Sequence, residues 1–86
     1  MFNYNLSVKI YRSIDIMIIM EDINRIKLVL VERKKTGKWL AEQLGKNPST
    51  VSKWCSNVAQ PDLATLVKIA SLLNVNIQEL INHTEK

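Results

Sequence analysis

The stretch from Trp39 to Trp54, WLAEQLGKNPSTVSKW, decides the fold because one amphipathic helix stops early and another begins almost at once. Its first half places two leucines and an alanine on one helical face. Gly45 then supplies a residue that adopts positive φ at a helix C-terminus. Asn47 and Pro48 follow as a capping side chain and a residue suited to the first helical turn. The stretch therefore predicts two short helices joined by a tight turn.

The rest of the chain continues this pattern of short helices with polar caps. A first helix is predicted to open at Glu21 and Asp22 and to close at the basic residues up to Lys35, the order that a helix dipole favours. Further predicted caps and ends are Thr36 before the second helix, Asn57 after the third, Asp62 and Asn74 around the fourth, and the pair Asn76 and Glu79 at a short fifth helix. The sequence predicts an all-α domain of five helices.

Composition sets the broad class of protein. Eighty-six residues form one small domain. The single cysteine, Cys55, excludes an internal disulfide and favours a reducing compartment. The apolar N-terminal stretch has no small-residue cleavage site, and Lys9, Arg12 and Asp15 interrupt it. These features argue against a signal peptide or a membrane span and predict a cytoplasmic protein.

Positive charge is concentrated in one part of the chain. The net charge is +4, and six basic residues with one acidic residue fall between Arg33 and Lys53. A basic window on a small, otherwise near-neutral domain is typical of a polyanion-binding surface. A solvated helix face is the alternative interpretation, and charge alone does not separate the two.

Residues Gly37 to Ser56 resemble the helix-turn-helix of the phage repressor and Cro (XRE) family of DNA-binding proteins. The matching positions are Leu40, Ala41, Leu44, Gly45, Val51 and Trp54. The resemblance continues into PDLATLVKIASLLNVNIQELI and covers Asp22 to about Leu80. It implies a five-helix, lambda-repressor-like DNA-binding domain over residues 21–82, in which the third helix, 48–56, enters the major groove.

The chain departs from this family at several positions. Leu30 and Cys55 stand where members commonly have an Arg–Glu ion pair, which suggests an apolar contact instead. Cys55 is accordingly predicted to be a small, half-buried apolar residue rather than a reactive thiol. Lys35 replaces a usual core leucine, with Trp39 expected to cover the gap. Gly37 replaces a frequent phosphate-contacting glutamine.

The resemblance implies two sets of DNA contacts. Bases would be read from outward positions on the third helix, which are Pro48, Ser49, Ser52 and Lys53. Lys53 is the strongest candidate because lysine donates to guanine O6 and N7, with a phosphate contact or a solvated side chain as the alternatives. Phosphates would be bound by Gly37, Lys38, Lys46, Asn47, Thr50 and Asn57. Asn47 and Thr50 are also expected to satisfy N–H groups of the helix.

The predicted function is that of a small transcriptional regulator, most simply a repressor, bound as a homodimer to a pseudo-palindromic operator in double-stranded DNA. Ile77 and Ile81 are the candidate dimer residues, unless they only complete the core. An antitoxin-like protein-interaction module on the same fold is the alternative. One histidine and one cysteine give no nucleophile–base pair or metal site, so neither an enzyme nor a cofactor is expected.

The first twenty residues lie outside the resemblance. Apolar residues occupy nearly every even position, which is strand periodicity with a break near Arg12 and Ser13. One interpretation is a strand pair that needs a second copy or the helices for support. The other is a misassigned translation start, since Met20 directly precedes the first helix, and a disordered extension would fit it. The tail, residues 83–86, is predicted to fray.

Overall fold

The computed structural model of the protein describes residues 22–82. It contains four α-helices, α1 (Ile26–Glu32), α2 (Gly37–Leu44), α3 (Pro48–Cys55) and α4 (Leu63–Leu73), followed by one 3₁₀ helix, η1 (Ile77–Leu80). No strand forms within that range, although Asn24 and Ile81 make one isolated antiparallel bridge. The all-α prediction is confirmed. The count of five α-helices is wrong by one, because the last predicted helix is a single 3₁₀ turn.

One core joins all five elements. Its fully buried side chains include Ile26 and Val29 of α1, Leu40 of α2, Val51 of α3 and Ile69 of α4. Leu80 of η1 is buried against the same cluster. The turn between α2 and α3 is short, and Ala41 at their contact is buried. Leu40 and Ala41 are buried and Leu44 packs against the core, so the apolar face predicted for α2 is confirmed.

The starts and ends of α2, α3 and α4 follow the predicted chemistry, whereas both ends of α1 differ from it. The side chains of Thr36, Asn47 and Asp62 accept hydrogen bonds from N–H groups in the first turns of α2, α3 and α4. Gly45, Asn57 and Asn74 take the left-handed conformation after these helices, as predicted. Lys34 does so after α1, with φ 58°, which the sequence did not predict.

All four helices end with the same pair of backbone hydrogen bonds. After α2, Lys46 donates to the carbonyl of Ala41 at 2.9 Å and Gly45 donates to that of Glu42 at 3.3 Å. Equivalent pairs follow α1, α3 and α4. This is the Schellman arrangement, which needs one left-handed residue within two positions of the last helical residue. It breaks the chain sharply enough for four helices to fit into about fifty residues.

The first helix begins later than predicted. Residues 22–25 pair with the end of the domain instead, since Arg25 donates to the Leu80 carbonyl at 2.8 Å and Asn82 donates to that of Ile23 at 2.9 Å. The Asn24 side chain then accepts from the N–H of Ile26, at 2.9 Å. These long-range contacts replace the helical start that Glu21 and Asp22 had indicated. The predicted N-terminal strands (residues 1–20) and the tail (83–86) lie outside the described residues.

Candidate nucleic-acid interface

The third helix is held from one side only. Val51 and Trp54 are buried and fix the inner face of α3 against the core. The opposite face carries Pro48, Ser49, Ser52 and Lys53, and all four are exposed. The structure therefore brings the four predicted base-reading residues onto one solvent-facing surface of a single helix. An α-helix presented in this way has the dimensions to enter a major groove.

The N-terminus of α3 is fixed by Asn47. Its Oδ1 accepts from the Ser49 backbone N–H at 2.9 Å and from the Ser49 hydroxyl at 2.8 Å. The predicted cap is confirmed, and the Asn47 side-chain oxygen already accepts two hydrogen bonds from within the protein. The Ser49 hydroxyl donates inward, so it presents its lone pairs as acceptors to an approaching base.

The C-terminus of α3 is fixed by a buried polar network that the sequence did not predict. Asn24 is 5% exposed. Its Nδ2 donates to the carbonyl of Trp54 at 2.8 Å and to Oε1 of Gln60 at 2.7 Å. The only local signal was the Asn24–Ile26 spacing, because asparagine side chains often bond the N–H two residues on.

Asn57 completes this network. Its Oδ1 accepts from the N–H groups of Ile23 and Asn24 at 2.9 and 2.8 Å, and its Nδ2 donates to the Asn24 carbonyl at 3.2 Å. The Gln60 side chain donates to the same Oδ1 at 3.1 Å. Because Oδ1 and phosphate oxygens are both acceptors, only Nδ2 could bind a phosphate, and it already donates to the Asn24 carbonyl.

The remaining phosphate candidates lie around the α2–α3 turn. Gly37 and Lys38 form the first turn of α2, where N–H groups have no intrahelical acceptor. Lys38 and Lys46 are exposed, whereas Thr50 is half-buried. Gly37 and Lys38 line the same cavity as Pro48 and Ser52, so the two predicted contact sets adjoin each other.

The positions that depart from the family pattern lie beside this surface. Leu30 is buried, and Cys55 is half-buried and packs against the core, as predicted. Burial raises the pKa of the Cys55 thiol, and the charge of Lys27 offsets part of that effect. Trp39, which was expected to cover the gap beside Lys35, is half-buried against the core, and the Lys35 ammonium lies 4.9 Å from its ring centroid in a cation–π contact.

Comparison with known proteins agrees with this architecture. The sequence model of the helix-turn-helix family matches residues 26–80, which span α1 to the end of η1. The chain belongs to the helix-turn-helix family. A crystal structure of a candidate DNA-binding protein from Bacteroides fragilis is 58% identical, with a TM-score of 0.69. The similarity covers 70% of this chain and 97% of that one. A comparison with curated proteins finds no match.

Membership of this family confirms the predicted XRE-type resemblance and identifies a DNA-binding class of protein. Within residues 22–82, the helix-turn-helix protein has no cluster of three or more His, Cys, Asp or Glu side chains placed to hold a metal ion. None of the helices described over that range is long and apolar enough to cross a membrane.

Proposed function

We propose that this helix-turn-helix protein is a sequence-specific regulator of transcription, most simply a repressor that occupies its operator. It acts by binding and not by catalysis. The outer face of α3 reads bases in the major groove, with Lys53 as the main reader and Pro48, Ser49 and Ser52 beside it. Phosphates are bound by the first turn of α2 and by Lys46, with Asn47 and Thr50 close to the strand at the tip of α3.

One observation supports this proposal above all others. The inner face of α3 is buried through Val51 and Trp54, and both of its ends are fixed by asparagine side chains. Its outer face has no such packing role and carries an exposed lysine. A face whose side chains take no part in packing is available to a ligand, and its lysine carries the charge that a polyanion attracts.

The test is selection from a randomised duplex library at physiological salt, with the wild type beside Lys53→Ala. We expect the wild type to enrich one sequence. The variant should lose the base preference at one base pair in each half-site, which corresponds to about 1–3 kcal/mol of discrimination between bases. Lys68→Ala is the matched control, because Lys68 is also exposed but lies on α4. Enrichment that is identical in Lys53→Ala would show that Lys53 reads no base and is either a phosphate contact or a solvated side chain.

Loss of a phosphate contact should differ from loss of a base contact in how the DNA affinity depends on sequence and on salt. Lys46→Ala is expected to weaken binding by a similar factor on every duplex. The slope of log K against log salt should fall by about 0.9 in magnitude, since one phosphate contact is lost. A sequence-dependent loss would instead make Lys46 a base reader.

We further propose that two copies bind a pseudo-palindrome, with half-sites about 34–36 Å apart. One reading helix offers too few base contacts for a specific site. The predicted dimer residues Ile77 and Ile81 are half-buried, and Ile77 packs on the core. Leu63 and Val67 are 70% and 55% exposed and lie one turn apart on α4. They supply a more open apolar surface for a second copy. Sedimentation velocity with and without operator tests this.

The antitoxin-like alternative gains some support from α1. Val31 is 64% exposed and Leu28 is 55% exposed on that helix, which gives an apolar surface that a protein partner could cover. Failure to enrich any sequence, with only salt-sensitive binding to all duplexes, would favour this function. A cytoplasmic location is proposed for either function.

A further inference from the structure

A cavity of about 490 Å³ lies between α1, the start of α2 and the outer side of α3. Leu30 and Val31 form its α1 wall, and Pro48 and Cys55 form its α3 wall. These side chains present almost only carbon and sulfur. Its volume is in the range of pockets that hold small organic ligands, roughly 300–1,000 Å³.

Gly37 lines the cavity and has no side chain to fill it. A Cβ atom built on Gly37 would lie 3.7 Å from Cγ1 of Val51 and 4.0 Å from Sγ of Cys55. Any longer side chain at position 37 would therefore start in van der Waals contact with the cavity wall. Leu30 and Cys55 also line the cavity, and neither side chain carries a charged group.

The lining of this cavity also carries positive charge. Lys27, Lys35 and Lys38 are among its lining residues, and no acidic side chain of the described chain is. Lys35 is partly engaged with Trp39, whereas Lys27 is exposed. Lys27 is also close enough to Cys55 for its charge to act on the thiol. An apolar lining combined with several lysines suits a ligand that has an apolar body and one negative group.

We propose that this cavity binds a small organic anion, a carboxylate with an apolar chain or ring, and that the bound anion excludes DNA. The exclusion rests on the proposed function. Four of the lining residues, Gly37, Lys38, Pro48 and Ser52, also belong to the proposed DNA surface, so a ligand and a DNA strand cannot both occupy it. The pocket thus gives a domain of this size a direct means of sensing a metabolite.

Binding is tested on the free protein by following ¹H–¹⁵N chemical shifts with octanoate as the probe and octanol as its neutral counterpart. We expect saturable shifts centred on Leu30, Val31, Gly37 and Cys55. The affinity for octanol should be lower by about tenfold or more, because a charge-assisted contact is lost. Unsaturable shifts, shifts elsewhere, or equal affinity for octanol would overturn the proposal.

Two matched variants separate this site from general attraction to a basic protein. Lys27→Gln removes a charge at the cavity mouth, and Lys68→Gln removes one from α4; both lysines are exposed and outside the proposed DNA surface. We expect octanoate affinity to fall several-fold in the first variant and to stay unchanged in the second. Equal effects in the two variants would refute a specific site.

Competition is then measured by fluorescence anisotropy of a labelled duplex, with sodium chloride matched to keep the ionic strength constant. At an octanoate concentration about nine times its dissociation constant, mass action predicts an apparent DNA affinity about tenfold weaker. Binding of octanoate without displacement would overturn the exclusion. If the protein binds no duplex at all, the proposed DNA function fails, while the chemical-shift titration still decides whether the cavity binds the anion.

Discussion

Replacing Asn24 with alanine should destabilise the domain far more than its single polar side chain suggests. Asn24→Ala removes three hydrogen bonds, to the Trp54 carbonyl, the Gln60 side chain and the Ile26 N–H, at 2.8, 2.7 and 2.9 Å. The Trp54 carbonyl and the Ile26 N–H belong to buried residues and would be left with poor access to water, whereas the Gln60 side chain is exposed. At about 1 kcal/mol per net bond, the loss is about 3 kcal/mol.

That loss is a large part of the expected total, because a domain of about 60 residues has a free energy of unfolding of roughly 3–9 kcal/mol. The free energy of unfolding is measured by urea unfolding followed by circular dichroism. A temperature of about 10 °C is used so that the variant is still folded at the start of the titration. Asn82→Ala is the control, since Asn82 is exposed and its Nδ2 makes one bond, to the Asp22 carbonyl at 2.8 Å. A loss below about 1 kcal/mol for Asn24→Ala, or one equal to the control, would refute the importance of the buried network.

Three further predictions concern helix ends. Lys34→Gly should stabilise the domain by about 1 kcal/mol in urea unfolding, because Lys34 has φ 58° and glycine adopts this conformation without strain. Gly45→Ala should destabilise it by about 1–2 kcal/mol by the same measurement, since Gly45 has φ 65° and open space around it, so that only the backbone resists the change. Hydrogen bonds from the Thr65 side chain and backbone lower the pKa of Asp62. Its contribution to stability should therefore be complete above about pH 5 and be lost as pH falls below about 4, where unfolded aspartate gains its proton. Asp62→Asn, which keeps a capping oxygen, should lack that part of the acid dependence. A rise in stability for Gly45→Ala, or the same acid profile for Asp62→Asn and wild type, would contradict these assignments.

The sequence predicted those features that depend on a few adjacent residues. Thr36, Asn47 and Asp62 cap their helices through N–H groups two or three residues away, so their roles follow from local spacing. Gly45 ends α2 for an equally local reason. The start of α1 could not be predicted in this way, because Asn24 is held by groups 30 and 36 residues further along the chain.

In the candidate site, too, features set by adjacent residues were predicted and features set by residues distant in sequence were not. Periodicity and the resemblance identified which face of α3 is buried, and the exposure of Lys53 follows from the burial of Val51 and Trp54. The role of Asn57 was assigned only in part, since its left-handed backbone was predicted and its side-chain partners were not. The cavity beside α3 could not be predicted either, because it results from Leu30, Gly37 and Cys55 meeting in space.

The helix α3, which we propose as the reading surface, is a short helix that follows the break at Gly45. Eight residues are too few for a stable helix in water, so α3 depends on tertiary contacts. Asn47 fixes its first turn, Asn24 bonds the carbonyl of Trp54 near its end, and Val51 anchors the middle. None of these contacts uses the side chains of Pro48, Ser52 or Lys53. Because stability comes from three other directions, the outer face is free to vary in sequence, and a change there should alter which DNA is bound without unfolding the domain.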